Sequence, residues 1–290
     1  MSGSGPALLA SLDRWLQAER SVQAAVLFGS QVRQAGAPAA ADGWSDVDLH
    51  IITSAAARLE ALDWSGVLPD QRLCLKAVRP ASGGVRKVTL LFDGGEADLV
   101  LVPGAKLRVA ALAMRLGLHR KIGVLAAALN NLATIMGGGF RFLKGEPAWG
   151  KFYARVVAEM PGFRLGDDEV RQLAEVALCD ALWIFQKIER GEIVAAQRIL
   201  HRSLMETNVV LLHELRTRRG ETTFQQARRV ERLVTPGQLA ALQISARLDA
   251  ADLRAATWHV LAGLKALMRE LAPAWSVPAG METLLAKFAP

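Results

Sequence analysis

The chain reads as an α+β protein, with a small mixed β-sheet domain over residues 1–104 followed by an all-helical bundle domain over 105–290. Two observations predict this division. Apolar runs of strand length, punctuated by Gly, Pro and Asp, fill the first third. After Pro103-Gly104 the apolar spacing changes to the 3.6-residue period of helices and keeps it. The charge divides at the same place: Lys plus Arg against Asp plus Glu is 9 against 11 up to residue 104 and 26 against 17 beyond it. The basic excess therefore belongs wholly to the helical part.

Each element has its own signal. Residues 6–20 set Leu8, Leu9, Leu12, Trp15 and Leu16 on one stripe, which predicts an amphipathic helix. The run 24–28 ends at Gly29-Ser30, and the run 47–53 carries Asp48 and His50 among apolar neighbours. Both read as buried strands joined by a Gly/Ala/Pro-rich loop. A helix over 54–62 follows, then strands over 73–78, 87–92 and 97–102, the last two joined by the turn signal Asp93-Gly94-Gly95. Helices are then predicted over 105–116, 122–136, 149–160, 167–190, 192–218, 222–234, 237–246 and 249–271. Gly137-Gly138-Gly139, Pro161-Gly162, Gly191 and Gly220 stand between them as stops.

With 51% hydrophobic and 22% charged residues in 290, the chain can fill a core, which excludes disorder as its main theme. No apolar stretch approaches the ~20 residues of a membrane span. The amino terminus lacks the basic n-region of a secretory signal, so the expectation is a cytoplasmic protein with no membrane partner. Cys74 and Cys179 lie far apart without a CxxC or a His cluster. That spacing excludes a disulfide scaffold and a zinc site, and both read as small buried hydrophobes. A basic domain beside a slightly acidic one suits an anionic ligand, a nucleoside triphosphate or a nucleic acid.

The chemistry concentrates in three short segments: Val26-Leu27-Phe28-Gly29-Ser30 with Arg33 just after it, Ser45-Asp46-Val47-Asp48-Leu49, and Glu96-Ala97-Asp98-Leu99. Asp46 and Asp48 are two apart, so on a strand they leave the same face roughly 7 Å apart at the backbone. Paired carboxylates repel unless a cation sits between them, and hard oxygen ligands favour Mg2+. A glycine and a serine leaving a strand into a turn expose N–H groups and a hydroxyl to a phosphate. If strand 97–102 lies beside strand 47–53, Asp98 completes a three-carboxylate cluster able to hold one or two ions. Glu96 is read as facing the other side of its strand and is ranked below Asp98.

This pattern of Gly-Ser, spacer, Asp-x-Asp and a third acid on a later strand resembles the nucleotidyltransferase fold of the DNA polymerase beta superfamily. LFGSQVRQAG, SDVDLHIIT and KVTLLFDGGEADLVLVP, followed by a helical domain, are similar to the aminoglycoside nucleotidyltransferases of the streptomycin 6-adenylyltransferase type. The resemblance implies a Mg2+-dependent transfer of AMP from ATP to a hydroxyl of a small acceptor, an aminoglycoside among them, with release of pyrophosphate. It implies that Gly29, Ser30 and Arg33 serve the phosphates, that Asp46 and Asp48 are metal ligands, and that Asp98 is general base or third ligand. It also encourages Lys187 or Lys144 as a triphosphate contact, without choosing between them.

In the helical half, Arg202, Glu206 and His213 fall on one face of the segment 192–218. That face either lines a substrate cleft or is a solvated ion pair beside an ordinary histidine. Trp44 and Trp149 are read as base-stacking or core-edge aromatics, and His50 as a neighbour of the metal or a satisfied core histidine. The arginines 216, 218, 219, 228, 229 and 232 leave transfer to RNA or protein open as an alternative, beside a non-catalytic nucleotide binder. The oligomeric state, monomer or homodimer, stays open.

Overall fold

The computed structural model describes residues 4–289 and divides into two compact units, Met1–Phe163 and Arg164–Pro290. The first holds, in chain order, α1 (Ser4–Ala18), β1 (Val22–Phe28), β2 (Val47–Thr53), α2 (Ala56–Ala61), β3 (Leu73–Ala81), β4 (Val85–Phe92), β5 (Gly95–Pro103), α3 (Gly104–Arg115), α4 (Gly123–Met136), β6 (Phe140–Lys144) and α5 (Glu146–Glu159). The strands form one mixed sheet in the order β3-β4-β5-β2-β1-β6, in which β2 and β5 run parallel and every other pair antiparallel. The predicted α+β class holds.

Strand alternation sends successive side chains to opposite faces, and both faces are covered. Ala25, Leu27, Leu49, Ile51, Val88, Leu90, Leu99 and Leu101 pack under Leu8, Leu12 and Leu16 of α1, Leu59 of α2, and Trp64. Ala24, Val26, Ile52 and Val102 on the other face meet Leu107, Met114, Leu129, Met136, Trp149, Phe152, Tyr153 and Val156 from α3, α4 and α5. Trp149 is thus a core residue.

The break expected after Gly104 falls after Phe163 instead. The reason is β6, a strand the apolar pattern does not announce: it pairs with β1, setting Phe140 opposite Phe28 and Lys144 opposite Ala25. Phe140 and Phe142 then close the second core against Tyr153. Gly145 makes the turn out of β6, at φ +76, where a Cβ would lie 2.3 Å from the carbonyl oxygen of Gln23. Only glycine fits that approach.

The second unit is helical: α6 (Asp167–Glu189), α7 (Ile193–Ile199), α8 (Met205–Arg218), α9 (Val230–Leu233), α10 (Pro236–Ala240), α11 (Ala250–Leu271) and α12 (Ala279–Ala286). Its core runs along α6, α8 and α11, with Phe185 against Trp258 and stacked on Phe288. The single helix predicted over 192–218 contains a π turn at Leu200–Leu204 between α7 and α8. The helix predicted over 222–234 is interrupted because Gln226, Ala227 and Arg229 take positive φ, leaving α9; the one predicted over 237–246 is replaced by the five-residue α10, and α12 adds a helix beyond those predicted. Both cysteines are exposed, against expectation: Cys74 lies on the edge strand β3, and Cys179 on α6. Among the described residues no helix is long and apolar enough to cross a membrane.

Candidate active site

The three segments singled out by their chemistry meet where β1 ends and β2 and β5 begin. Parallel pairing sets Asp48 beside Asp98, antiparallel pairing sets Phe28 beside Asp48 and Thr89 of β4 beside Asp98, and Asp46 lies just before β2. Asp46, Asp48 and Asp98 bring carboxylate oxygens within 4.8 Å of one another, an arrangement that could hold a metal ion. All three are acids with hard oxygen donors, the set that suits Mg2+ or Ca2+ rather than a thiolate-seeking metal.

Asp98 is buried and both its oxygens are engaged. The Thr89 hydroxyl donates to Oδ1 at 2.6 Å, and the Lys87 ammonium, also on β4, donates to Oδ2. Neither Thr89 nor Lys87 was expected at the site. The β4-β5 hairpin carried the signal, since its two-residue turn at Asp93-Gly94 pairs Phe92 with Gly95 and so, three pairs on, Thr89 with Asp98. Glu96 corrects the sequence reading. It stands two residues from Asp98, not one, and so shares its face. Its carboxyl is pushed up from the usual range by burial first, and then by the charges of Asp98 and Asp46.

The turn after β1 is shaped around Asp48. Gly29 adopts φ +77, and a Cβ there would lie 2.4 Å from Asp48 Oδ2, so a side chain at this position would strike the carboxylate. Ser30 is 1% exposed, yet its Oγ finds no hydrogen-bond partner. A buried hydroxyl left unsatisfied costs about 1–3 kcal/mol, so this orphan leaves a donor that could serve an acceptor. Arg33 donates from Nη1 to the carbonyl of Ala39 at 2.8 Å, and its guanidinium abuts Gly138, where a Cβ would lie 3.1 Å from Nη2. It braces the loop after Gly29-Ser30 and packs close to the glycine run before β6. Gln31 donates to the carbonyl of Asp46 at 3.4 Å, and Asp42 turns the loop by accepting from the backbone N–H of Trp44 at 3.0 Å. Trp44 is exposed and stacks on no aromatic ring among the described residues.

His50, one alternation beyond Asp48, is buried and bonds through Nδ1 to the Tyr153 hydroxyl of α5. Burial lowers the imidazole to about 4 and raises the phenol, so the pair stays neutral near pH 7. It is a core histidine.

Each of the two lysines, Lys144 and Lys187, has a partner within its own unit. Lys144 lies opposite Ala25, away from the Asp48 end of the sheet, and its ammonium caps α1 by donating to the carbonyls of Leu16 at 2.7 Å and Glu19 at 3.1 Å. Lys187 belongs to the second unit and pairs with Glu192. Arg202 lies inside the π turn, and Glu206 and His213 lie on α8. Arg202 and Glu206 are exposed, whereas His213 is half-buried and bonds to Thr223 at 3.1 Å.

Comparison with known proteins adds little to this geometry. No protein-family model matches the chain, and no curated protein matches it. Among solved structures it is similar to an aminoglycoside 6-adenyltransferase from Bacillus subtilis, at 10% identity and a TM-score of 0.41, over 99% of this chain and 98% of that one. It is also similar to a nucleotidyltransferase-like protein from Exiguobacterium sibiricum, at 12% identity and a TM-score of 0.32, over 93% and 78%. Likenesses this loose assign neither a family nor an activity.

Proposed function

We propose that the protein is a metal-dependent nucleotidyltransferase that moves AMP from ATP to a hydroxyl of a small acceptor and releases pyrophosphate. The observation that carries the reading is the convergence of Asp46, Asp48 and Asp98 within 4.8 Å. The orphaned, buried Ser30 hydroxyl on the adjoining turn fits a phosphate and supports it. In this reading Asp46, Asp48 and Asp98 hold Mg2+, which when bound neutralises phosphate charge and favours attack at phosphorus. The Gly29 turn lets backbone and Ser30 Oγ approach the phosphates, and Arg33 braces that turn. The acceptor oxygen bonds to the α-phosphorus while the bond to the β-phosphate's bridging oxygen breaks. The hydroxyl proton passes to a carboxylate, for which Asp98 is the candidate. A positioned base contributes about 10²–10⁴-fold.

The motif resemblance makes an aminoglycoside the first acceptor to try. Transfer to RNA has weaker support than the arginine run suggests, because three of those side chains are already paired. Arg216 binds Glu221, Arg218 binds Glu214 and Asp167, and Arg219 binds Glu270. The test is pyrophosphate release from ATP and Mg2+ against a panel of hydroxylated acceptors that includes aminoglycosides. Release is expected with at least one acceptor, and Asp46→Asn should reduce it to background. Full activity in that variant would overturn the site assignment.

A further inference from the structure

We infer that Lys87 is the resident counter-cation of the carboxylate cluster, and that its ammonium must leave Asp98 before a divalent cation can settle there. Lys87 would thereby set how tightly the chain takes metal. The inference rests on the reading of Asp46, Asp48 and Asp98 as a metal centre.

The argument begins with the two oxygens of Asp98. Thr89 takes Oδ1 with a neutral hydroxyl, which leaves lone pairs for a further partner, whereas Lys87 takes Oδ2 with a full positive charge. Mg2+ binds a carboxylate oxygen at about 2.0–2.1 Å. An ion on Oδ2 would therefore stand within a few ångström of the ammonium, beside a carboxylate that is 5% exposed. Like charges that close, with little water between them, repel strongly. An ion on Oδ1 would share the carboxylate with the ammonium and meet the same repulsion at slightly longer range, so Lys87 and the ion compete for Asp98 at either oxygen.

The ammonium has room to move. The Lys87 side chain is 30% exposed, and its four-carbon stem is flexible. Arg79 of β3 pairs in register with Lys87 and adds positive charge behind it, while Glu96 lies on the same face as Asp98 and feels the charge of Lys87. A second carboxylate is thus available to the ammonium once it leaves the first. In the metal-free chain the same ammonium offsets part of the repulsion among three converging acids, so a single side chain both steadies the empty cluster and resists idle occupancy.

The test is Mn2+ binding to the full chain without nucleotide, followed by the electron paramagnetic resonance signal of free Mn2+ and by calorimetry, for wild type, Lys87→Met, Lys87→Arg and Asp46→Asn. Removing the competing charge should tighten Mn2+ binding about tenfold in Lys87→Met. Lys87→Arg, which keeps the charge, should stay near wild type, and Asp46→Asn should bind poorly. If Lys87→Met unfolds, Mg2+ titration of wild type decides: the Lys87 side-chain NH3+ resonance should shift or broaden as metal is added, and an unmoved signal at saturation would overturn the inference. Equal or weaker Mn2+ binding by folded Lys87→Met, with wild type binding normally, would overturn this inference alone. Wild type that binds Mn2+ no better than Asp46→Asn would instead sink the metal centre, and this inference with it.

Discussion

At the scale of single residues, Ser30 and His50 have opposite relations to their surroundings, and each predicts a different experiment. The Ser30 hydroxyl is buried without a partner, so Ser30→Ala removes an unmet polar group. The melting temperature should hold or rise, while affinity for ATP falls about tenfold, the worth of one hydrogen bond to a charged oxygen. A drop in stability with unchanged ATP binding would show the hydroxyl to be structural. His50 is buried and neutral, with its imidazole lowered from 6.5 to about 4. The unfolded chain takes up this proton below pH 6.5 and the folded chain only below about 4, so stability is retained above 6.5 and declines as pH falls towards 4. The shift corresponds to ~3 kcal/mol. Urea unfolding between pH 7 and 4 should show that slope, and His50→Gln, which keeps an acceptor for Tyr153, should flatten it. The aspartates were legible because a charged residue inside an apolar run demands a reason. Glu96 was misplaced by a parity error of one residue, which on a strand reverses the face. Lys87 and Thr89 required the hairpin register as well as composition.

At the scale of elements, the places where periodicity failed have identifiable physical causes. The π turn at Leu200–Leu204 keeps the apolar pattern on both sides while shifting the angular register between α7 and α8, which a constant 3.6-residue period does not reveal. β6 is five residues between glycines, too short to declare itself, and it becomes a strand only because β1 offers an open edge. Its last residue illustrates why a lone lysine says little about function. Lys144 donates to two carbonyls at the end of α1, a helix terminus that otherwise lacks basic residues in its last turn. Lys144→Met should therefore destabilise the chain by about 1–2 kcal/mol and leave ATP affinity unchanged. Chemical denaturation and nucleotide titration on the same variant test both halves. Loss of ATP binding from a stable variant would restore the phosphate role.

At the scale of the molecule, the change of periodicity after Pro103-Gly104 is real but does not coincide with the edge of a compact unit, because α3, α4, β6 and α5 complete the sheet's second core. A fragment ending at residue 104 should remain unfolded or aggregate, since it strands Val26, Ile52 and Val102 in water, whereas one ending at residue 163 should show cooperative melting and dispersed NMR signals. A cooperative 1–104 fragment would refute this division. The sheet order has a consequence during synthesis. β1 leaves the ribosome before the other strands of its sheet, yet the neighbour on its outer side is encoded more than a hundred positions later. For that interval the nascent protein presents an unpaired hydrogen-bonding rim, and its safe maturation depends on how quickly translation delivers the closing ribbon.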